Sequence, residues 1–347
     1  MAHEVLVIAH APEPAGTLSR LVGGAGGTAV VVDAVPERLP DHAALVVAQW
    51  PLEGSAEPVV APGGVGLVLV CAGEPGPEVW RDAVRLGAET VAVLPEAEPW
   101  LAARVAHAVR RADRAPVLAV VGGCGGAGAT TLAAALALTA ARRDLAVTLL
   151  DLDPLGGGVD LLFGAEAAPG LRWQDLRNAP GRLAAGAVRS TAPSACDVSL
   201  LTWDRSDEPR VAPAAVRAAL ESAVDDADLV VADLPRRLDD AARTVLADAR
   251  AVLVVVRADV RAAAAAVRVV AQLERFTGDL AVVVRGPAPT GLPAETVADT
   301  LGLPLAGDLR PEPGLAAALD RGDVPPVRAR GPLAALSARL LVSALER

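Results

Sequence analysis

Residues 122–131 combine small and hydroxyl-bearing residues in an order that suits anion binding. After the apolar run Val117–Val121, the letters GGCGGAGATT supply five glycines and then Thr130 and Thr131. Glycine lets the backbone turn so that consecutive N–H groups point at one anion, and a helix beginning there adds the positive end of its dipole. The stretch therefore predicts a phosphate site. Its candidate contact residues are Gly123, Gly125, Gly126, Ala127, Gly128, Ala129, Thr130 and Thr131.

Acidic residues follow two other apolar runs. Asp151 and Asp153 come directly after the run Ala146–Leu150, and Asp233 ends the run Leu229–Asp233. Carboxylates are ligands that Mg²⁺ prefers. In parallel α/β sheets, ligands bind at the carboxyl ends of the strands. Because the glycine loop and all three acids fall at predicted carboxyl ends, the sequence predicts one phosphate–magnesium site at one edge of a sheet.

The glycine loop matches two known patterns. Gly123, Gly125 and Gly128 have the spacing of the dinucleotide-binding fingerprint, whereas residues 123–130 match the P-loop except that Ala129 stands in place of its lysine. A hydroxyl directly after the loop and an acid at the end of a separate strand are what a nucleotide–Mg²⁺ site needs. These two features favour the P-loop over a dinucleotide-dependent oxidoreductase, for which no catalytic acid or base is evident.

Strand-length apolar runs alternate with helical patterns along the whole chain. This alternation predicts an α/β fold with a mostly parallel, doubly wound sheet. A length of 347 residues suggests about two domains. The charged stretch Arg110–Pro116, which a proline closes, indicates a short linker. We expect a smaller α/β domain over residues 1–112 and a larger P-loop domain over residues 117–347.

Composition narrows the class of protein. The share of hydrophobic residues, 52%, is ample for buried cores, and the net charge of −10 argues against a sequence-specific nucleic-acid partner bound through a broad basic face. Cys71, Cys124 and Cys196 form no CxxC pair, which favours a reducing compartment and gives no metal motif. The sequence shows neither a signal-peptide pattern nor a membrane-spanning apolar run. We expect a cytoplasmic protein.

The end of the first segment resembles a response-regulator receiver domain. Residues 80–112 show the receiver order of a helix, the letters GA, a strand, a proline and a final helix. A receiver carries an acidic pair after its first strand, where this chain has Ala9 and His10. It carries a phosphorylatable Asp after its third strand, near Trp50 here, and a Lys where Leu94 stands. The resemblance therefore implies a receiver-like domain that is not phosphorylated.

The second segment resembles the deviant-Walker MinD/ParA ATPases, in particular the CpaE-like actinobacterial branch of septum-site-determining proteins. Four motifs carry the resemblance: GCGGAGATT from Gly123, DLDP at Asp151–Pro154, ADLP at Ala232–Pro235 and LRWQDL at Leu171–Leu176. The receiver-like domain over residues 1–112 is also typical of this branch. The resemblance covers nearly the whole chain, and its motifs are specific from Val117 to Pro235.

The resemblance implies a site for ATP and Mg²⁺. Backbone N–H groups of residues 125–130 would hold the phosphates. The Thr130 hydroxyl would bind the metal, and Thr131 would lie nearer the α-phosphate. The base would lie near Arg285 and the loop 309–313.

The resemblance also implies roles for the acids. Asp153 would lie close to the attacking water, Asp151 would help to order the magnesium shell, and Asp233 would hold that shell through water. The family's signature lysine, which reaches a dimer partner's phosphates, aligns with Cys124, and the general P-loop lysine aligns with Ala129. Losing one well-placed charge donor costs about 3 kcal/mol of transition-state stabilisation, or roughly a hundredfold in rate. We therefore expect weak or absent ATP hydrolysis.

No lysine occurs anywhere in the chain, so all 32 basic residues are arginine. Arg236 and Arg237, directly after ADLP, are candidates to replace the missing charge in part. The function that the resemblance implies is a spatial regulator of septum placement, or of Tad-type pilus or secretion assembly, that forms a homodimer on nucleotide binding. It would be recruited to a septum or pole by protein partners and would touch membrane only indirectly or weakly. The alternative is a pseudo-ATPase scaffold that does not turn over nucleotide.

Overall fold

The structure is a computed structural model that describes residues 4–36, 43–52, 65–112, 114–177, 181–205, 210–288, 291–328 and 330–345. The chain divides into two compact units, one running to Arg114 and the other starting at Ala115. Each unit has its own parallel sheet.

The first unit is a five-stranded parallel sheet in the order β2-β1-β3-β4-β5. Its strands are β1 Glu4–Ile8, β2 Thr28–Val32, β3 Leu45–Gln49, β4 Gly66–Ala72 and β5 Thr90–Leu94, and its helices are α1 Pro12–Gly24, α2 Pro77–Leu86 and α3 Glu98–Ala112. Helices α1 and α3 pack together on one face, and α2 packs on the other. The strand order and the final helix confirm the receiver-like fold.

The strand ends that carry phosphorylation chemistry in a receiver have other residues here. Strand β1 is followed by Ala9, strand β3 by Trp50, and β5 ends in Leu94. The indole N–H of Trp50 donates to the carboxylate of Asp82 at 3.0 Å. Aliphatic and indole groups neither hold Mg²⁺ nor accept a phosphoryl group, so these three positions do not supply the groups that a receiver uses.

The second unit is built on eight strands in the order β13-β12-β11-β6-β10-β7-β9-β8. They are β6 Val117–Gly122, β7 Val147–Asp151, β8 Ser194–Ala195, β9 Val198–Leu201, β10 Leu229–Leu234, β11 Ala251–Arg257, β12 Leu280–Arg285 and β13 Leu305–Leu309. Strand β8 pairs antiparallel with β9, and the other pairs in the described part of the chain are parallel. The predicted doubly wound parallel sheet is confirmed.

Helices cover both faces of this sheet. They are α4 Ala129–Ala141, α5 Ala187–Thr191, α6 Pro213–Val224, α7 Asp240–Leu246, α8 Val260–Leu273, α9 Ala294–Leu301, α10 Leu315–Asp320 and α11 Pro332–Leu345, with a 3₁₀ helix at Val159–Phe163. Because crossover connections are right-handed, α4, which leads toward β7, lies on one face. The helices α6 to α9 lead the chain back the other way and lie on the opposite face.

Helix α4 is the centre of its layer. All its residues from Leu132 to Ala141 are buried, because α11 and the sheet cover it from two sides. The leucines of α11 that face inward, Leu333, Leu336, Leu340 and Leu341, are buried. The apolar stripe of α11 is therefore used in packing. None of the helices in the described part of the chain has the length and apolar character that crossing a bilayer requires.

Candidate functional site

The glycine loop connects β6 to α4 at the centre of the sheet. Gly126 has φ 63° and Gly128, which caps α4, has φ 95°. Both values lie in the left-handed region that glycine adopts without strain. The N–H of Gly123 donates to the carbonyl of Val255 on β11 at 2.8 Å, which fixes the start of the loop. The loop thus has the tight backbone of an anion nest at a helix N-terminus.

Gly123 is required by close packing and not by its φ. A methyl group built on it would lie 2.8 Å from both Ala266 Cβ and Val256 Cγ2. Carbon atoms that are not bonded to each other do not approach this closely, so the side chains of Ala266 on α8 and Val256 on β11 would have to move away from the loop. We expect Gly123→Ala to lower the free energy of unfolding by about 1–3 kcal/mol, measured by urea denaturation. The matched control is Gly157→Ala, whose methyl group would have no neighbour within 4 Å; equal losses in both variants would contradict this account.

Two buried acids meet beside the loop. Asp151 on β7 and Asp233 on β10 are register partners on adjacent strands, and each is 2% exposed. The side chain of Thr130, in the first turn of α4, lies near the Asp233 carboxylate and favours its charged form. Burial and then the negative charge of Asp151 raise the pKa of Asp233 well above its usual range, against the lowering effect of the Thr130 side chain. A cation between these groups would relieve both penalties.

Asp151 is held by three donors. Its Oδ1 accepts the N–H of Asp153 at 3.1 Å, and its Oδ2 accepts the N–H of Val159 at 3.1 Å and the hydroxyl of Thr202 at 3.0 Å. Burial nevertheless raises its pKa from 3.8 to about 6, because desolvation outweighs these bonds. Its carbonyl accepts the indole N–H of the buried Trp173 at 2.6 Å. Asp151 therefore ties the strand end to three separate segments.

Asp153 differs from Asp151 in exposure. It is half-buried, and its Oδ1 accepts the N–H of Leu155 at 3.1 Å, which forms a local turn. Leu155 is 89% exposed. Asp153 thus begins an exposed loop that runs to the 3₁₀ helix Val159–Phe163, and its carboxylate is accessible to solvent from the loop side.

A third buried carboxylate, that of Asp160, anchors the far end of that loop. Asp160 is fully buried and pairs with Arg205 at 2.8 Å and with Arg172 at 3.1 Å. Arg172 also donates to the carbonyl of Ala168 at 3.1 Å. This triad joins three segments that are distant in sequence, and it fixes the 3₁₀ helix whose Val159 N–H bonds to Asp151.

The two positions where the resemblance places lysines have small side chains. Ala129 is half-buried in the first turn of α4. Cys124 is 8% exposed and packs in the core of the second unit. The guanidinium groups of two arginines lie beside the same loop: Nη1 of Arg285 near Gly128 and Nη1 of Arg236 near Gly125.

A cavity of about 320 Å³ lies at the same carboxyl edge of the sheet. Its lining residues come from the ends of β12 and β13 and the start of α9: Ala258, Val284, Gly286, Pro287, Ala288, Leu292, Pro293, Ala294, Glu295, Asp308, Arg310 and Pro311. The cavity combines apolar walls with two carboxylates and one guanidinium. This is the region, near Arg285 and residues 309–313, where the sequence places a base.

The fold brings most of the predicted site residues to one edge. Thr130, Asp151 and Asp233 form one cluster, the glycine loop adjoins it, and Arg285 lies against Gly128. Sequence reasoning missed the residues that hold the acids in place, which are Trp173, Thr202, Arg172 and Arg205. Two of them belong to the LRWQDL motif, which was the available signal.

The oxygen ligands at this edge suit a Mg²⁺ ion that is also bound by the phosphates of a ligand. The described residues contain no group of three or more His, Cys, Asp or Glu side chains arranged to hold a metal alone. The pair of Thr130 and Asp233 offers one hydroxyl and one carboxylate. Mg²⁺ keeps several waters and is bound through one or two carboxylates plus substrate phosphates, so this small set of oxygen ligands suits it.

Comparisons with known proteins identify both units. The family model described as "Rv3660c-like, CheY-like N-terminal domain" matches residues 8–116. The chain is 39% identical to the uncharacterized protein Rv3660c of Mycobacterium tuberculosis over 267 residues. This aligned region is 76% of this chain and 74% of that protein.

Solved structures resemble the second unit. The MinC:MinD cell division protein complex of Aquifex aeolicus matches with a TM-score of 0.55 and 22% identity, over 66% of this chain and 96% of that chain. The septum site-determining protein MinD of Pyrococcus horikoshii, complexed with Mg-ADP, matches with a TM-score of 0.56 and 16% identity, over 66% and 95%. The chain belongs to the Rv3660c-like family, and its second domain has the fold of the MinD/ParA P-loop ATPases.

Proposed function

We propose that this chain is a nucleotide-dependent spatial regulator that binds ATP with Mg²⁺ and hydrolyses it slowly or not at all. Nucleotide binding switches it from monomer to homodimer, and protein partners recruit it from the cytoplasm to a septum or pole. It acts in septum placement or in the assembly of a Tad-type pilus or secretion system. The structural neighbours include cell division proteins and a plasmid partition protein of this fold, which supports this class of function.

One observation carries the proposal. The Thr130 side chain lies near the buried Asp233, and lowers its pKa, at the point where the glycine loop meets α4. A hydroxyl and a carboxylate that lie close together beside an anion nest are the two protein groups a phosphate-bound Mg²⁺ needs. A dinucleotide-binding site does not require a second buried acid on a neighbouring strand.

Each group of residues has its own role in nucleotide binding at this site. Backbone N–H groups of residues 125–130 hold the phosphates, with Thr131 nearer the α-phosphate. Thr130 and Asp233 hold the Mg²⁺ shell. A bound Mg²⁺ ion would supply positive charge that offsets the negative charge of the phosphates. The base occupies the cavity between the ends of β12 and β13, where Glu295 and Asp308 can accept N–H groups.

Asp151, which ends β7, and Asp153, which follows it, have different roles in this proposal. Asp151 keeps the strand end and the 3₁₀ helix in register through its three accepted bonds and helps to order the metal shell. Asp153, which is more exposed, is the acid placed to orient a water molecule. The receiver-like domain, whose phosphorylation residues are replaced, serves as a docking module for protein partners.

The dimer switch is testable in solution. Light scattering on the full chain measures mass with and without Mg²⁺-ATP. The wild type should double its mass with Mg²⁺-ATP, and Thr130→Val should stay monomeric because it loses the metal ligand. The control Thr244→Val removes a hydroxyl that donates to its own helix at the Asp240 carbonyl, and it should dimerise normally. A wild type that keeps one mass under all conditions would overturn the switch.

A lysine restored at Ala129 should increase turnover. Ala129→Lys returns one positive group to the first turn of α4, where it can neutralise charge that develops on the transferred phosphate. We expect ATP hydrolysis to rise roughly a hundredfold over the wild type, measured as phosphate release. Ala129→Met is the control, because it has a similar length and no charge. Equal rates in the lysine and methionine variants would show that the missing charge does not limit turnover.

The absence of lysine from the whole sequence favours a second candidate, a scaffold that does not turn over nucleotide. The two candidates predict different behaviour for a fluorescent fusion in cells. The switch predicts that Thr130→Val loses the localisation of the wild type, whereas the scaffold predicts an unchanged pattern.

A further inference from the structure

We propose that Arg285 and Arg236 supply, within one protomer, the positive charge that binds the terminal phosphates of the nucleotide. They do so from the ends of β12 and β10 in place of the missing loop lysines. This inference rests on the proposed function and names the groups that select a di- or triphosphate.

Arg285 lies directly against the phosphate loop. A methyl group built on Gly128 would be 3.0 Å from Arg285 Nη1 and 3.6 Å from its Cδ. The guanidinium therefore lies over the residue that caps α4, one position before Ala129. A P-loop lysine at position 129 would bring its charge to this same end of the helix.

The pleat of β12 points the side chain of Arg285 away from the cavity that we assign to the base. Its neighbours Val284 and Gly286 line that cavity together with the start of α9. Because successive side chains of a strand point to opposite faces of the sheet, Arg285 points to the face covered by α4. Its contact with Gly128 agrees with this direction. Its position therefore suits phosphate binding and not contact with the base.

Arg236 reaches the loop from another strand. It is the second residue after β10, the strand that carries Asp233, and it is exposed. Its Nη1 lies 3.9 Å from the position of a methyl group on Gly125. The exposed glycines of the loop thus lie between two guanidinium groups, one at each end.

Both guanidinium groups are available for a ligand. Within the described ranges of the chain, the side chains of Arg285 and Arg236 have no ion pair and no hydrogen-bond partner. The nearby Asp151 is already engaged, since its carboxylate accepts three hydrogen bonds. Guanidinium binds phosphate through two parallel hydrogen bonds, so two free arginines beside an anion nest fit a polyphosphate.

The test uses inorganic tripolyphosphate and adenosine as separate probes of the full-length protein. Calorimetry measures the Kd of each probe for the wild type, Arg285→Met and Arg236→Met, because methionine keeps much of the aliphatic length and removes the charge. The control is Arg268→Met on α8, an exposed arginine on the other face of the sheet. Circular dichroism and melting temperature verify that each variant is folded.

We expect each of Arg285→Met and Arg236→Met to weaken tripolyphosphate roughly tenfold or more, with adenosine unchanged and the control equal to wild type. Weaker adenosine binding with unchanged tripolyphosphate would overturn the inference by making Arg285 a base contact. Equal affinities in all proteins would also overturn it while leaving the proposed function intact. A wild type that binds neither ATP nor tripolyphosphate would remove the proposed function itself.

Discussion

Asp160→Ala should lower the free energy of unfolding by about 3–5 kcal/mol. Asp160 is fully buried, and its carboxylate is shared by Arg172 and Arg205. Removing it leaves the guanidinium of Arg172, whose side chain is only 12% exposed, without its opposite charge. An uncompensated buried charge costs far more than the loss of a surface ion pair.

The measurement is urea denaturation of the full chain followed by tryptophan fluorescence. Trp173 and Trp203, whose ring centroids are 6.1 Å apart, report on the second unit. The control is Asp323→Ala, which breaks the exposed pair of Asp323 with Arg321 and should cost about 0–1 kcal/mol. A loss below 1 kcal/mol in Asp160→Ala would mean that the buried triad does not hold the loop.

The protonation of Asp151 should give the protein a pH-dependent stability with a defined sign. Burial raises its folded pKa from 3.8 to about 6, so between these values the folded state binds more protons than the unfolded state. Stability from this group is therefore highest below pH 3.8 and falls as pH rises to about 6. The total change is about 3 kcal/mol.

The variant Asp151→Asn removes this titration together with the part of the Asp233 pKa shift that the charge of Asp151 causes. An amide oxygen can still accept from Val159 and Thr202, whereas the N–H of Asp153 loses its acceptor, and that loss does not depend on pH. The difference in unfolding free energy between wild type and Asp151→Asn should thus move by about 3 kcal/mol in favour of the variant as pH rises from 4 to 7. A difference that is constant over this range would show that Asp151 titrates normally.

Much of the fold follows from local sequence pattern. Runs such as Ala251–Arg257 and Leu280–Arg285 are apolar up to their final arginine, because strands of a parallel sheet are buried on both faces, and the structure places β11 and β12 at these residues. Helix α1, Pro12–Gly24, was not predicted. Its prolines and glycines mask the pattern, and only Leu18 and Val22 are buried; packing against α3 stabilises it.

The candidate site was predictable where it depends on strand ends and glycines. Thr130, Asp151 and Asp233 meet because parallel strands bring their carboxyl ends together. The partners of Asp151 were not predictable, since Thr202 is 51 residues away and bonds to it only after β9 joins the sheet. The direction of Arg285 depends on the pleat of β12 and on the position of α4, neither of which a motif specifies.

The most direct test of the account is a calorimetric titration of the full chain with ATP, in Mg²⁺ and again in EDTA. The account predicts saturable binding of one ATP per chain that weakens at least tenfold without Mg²⁺, because Thr130 and Asp233 act through the metal. Absence of binding at millimolar ATP, or binding that EDTA leaves unchanged, would contradict it.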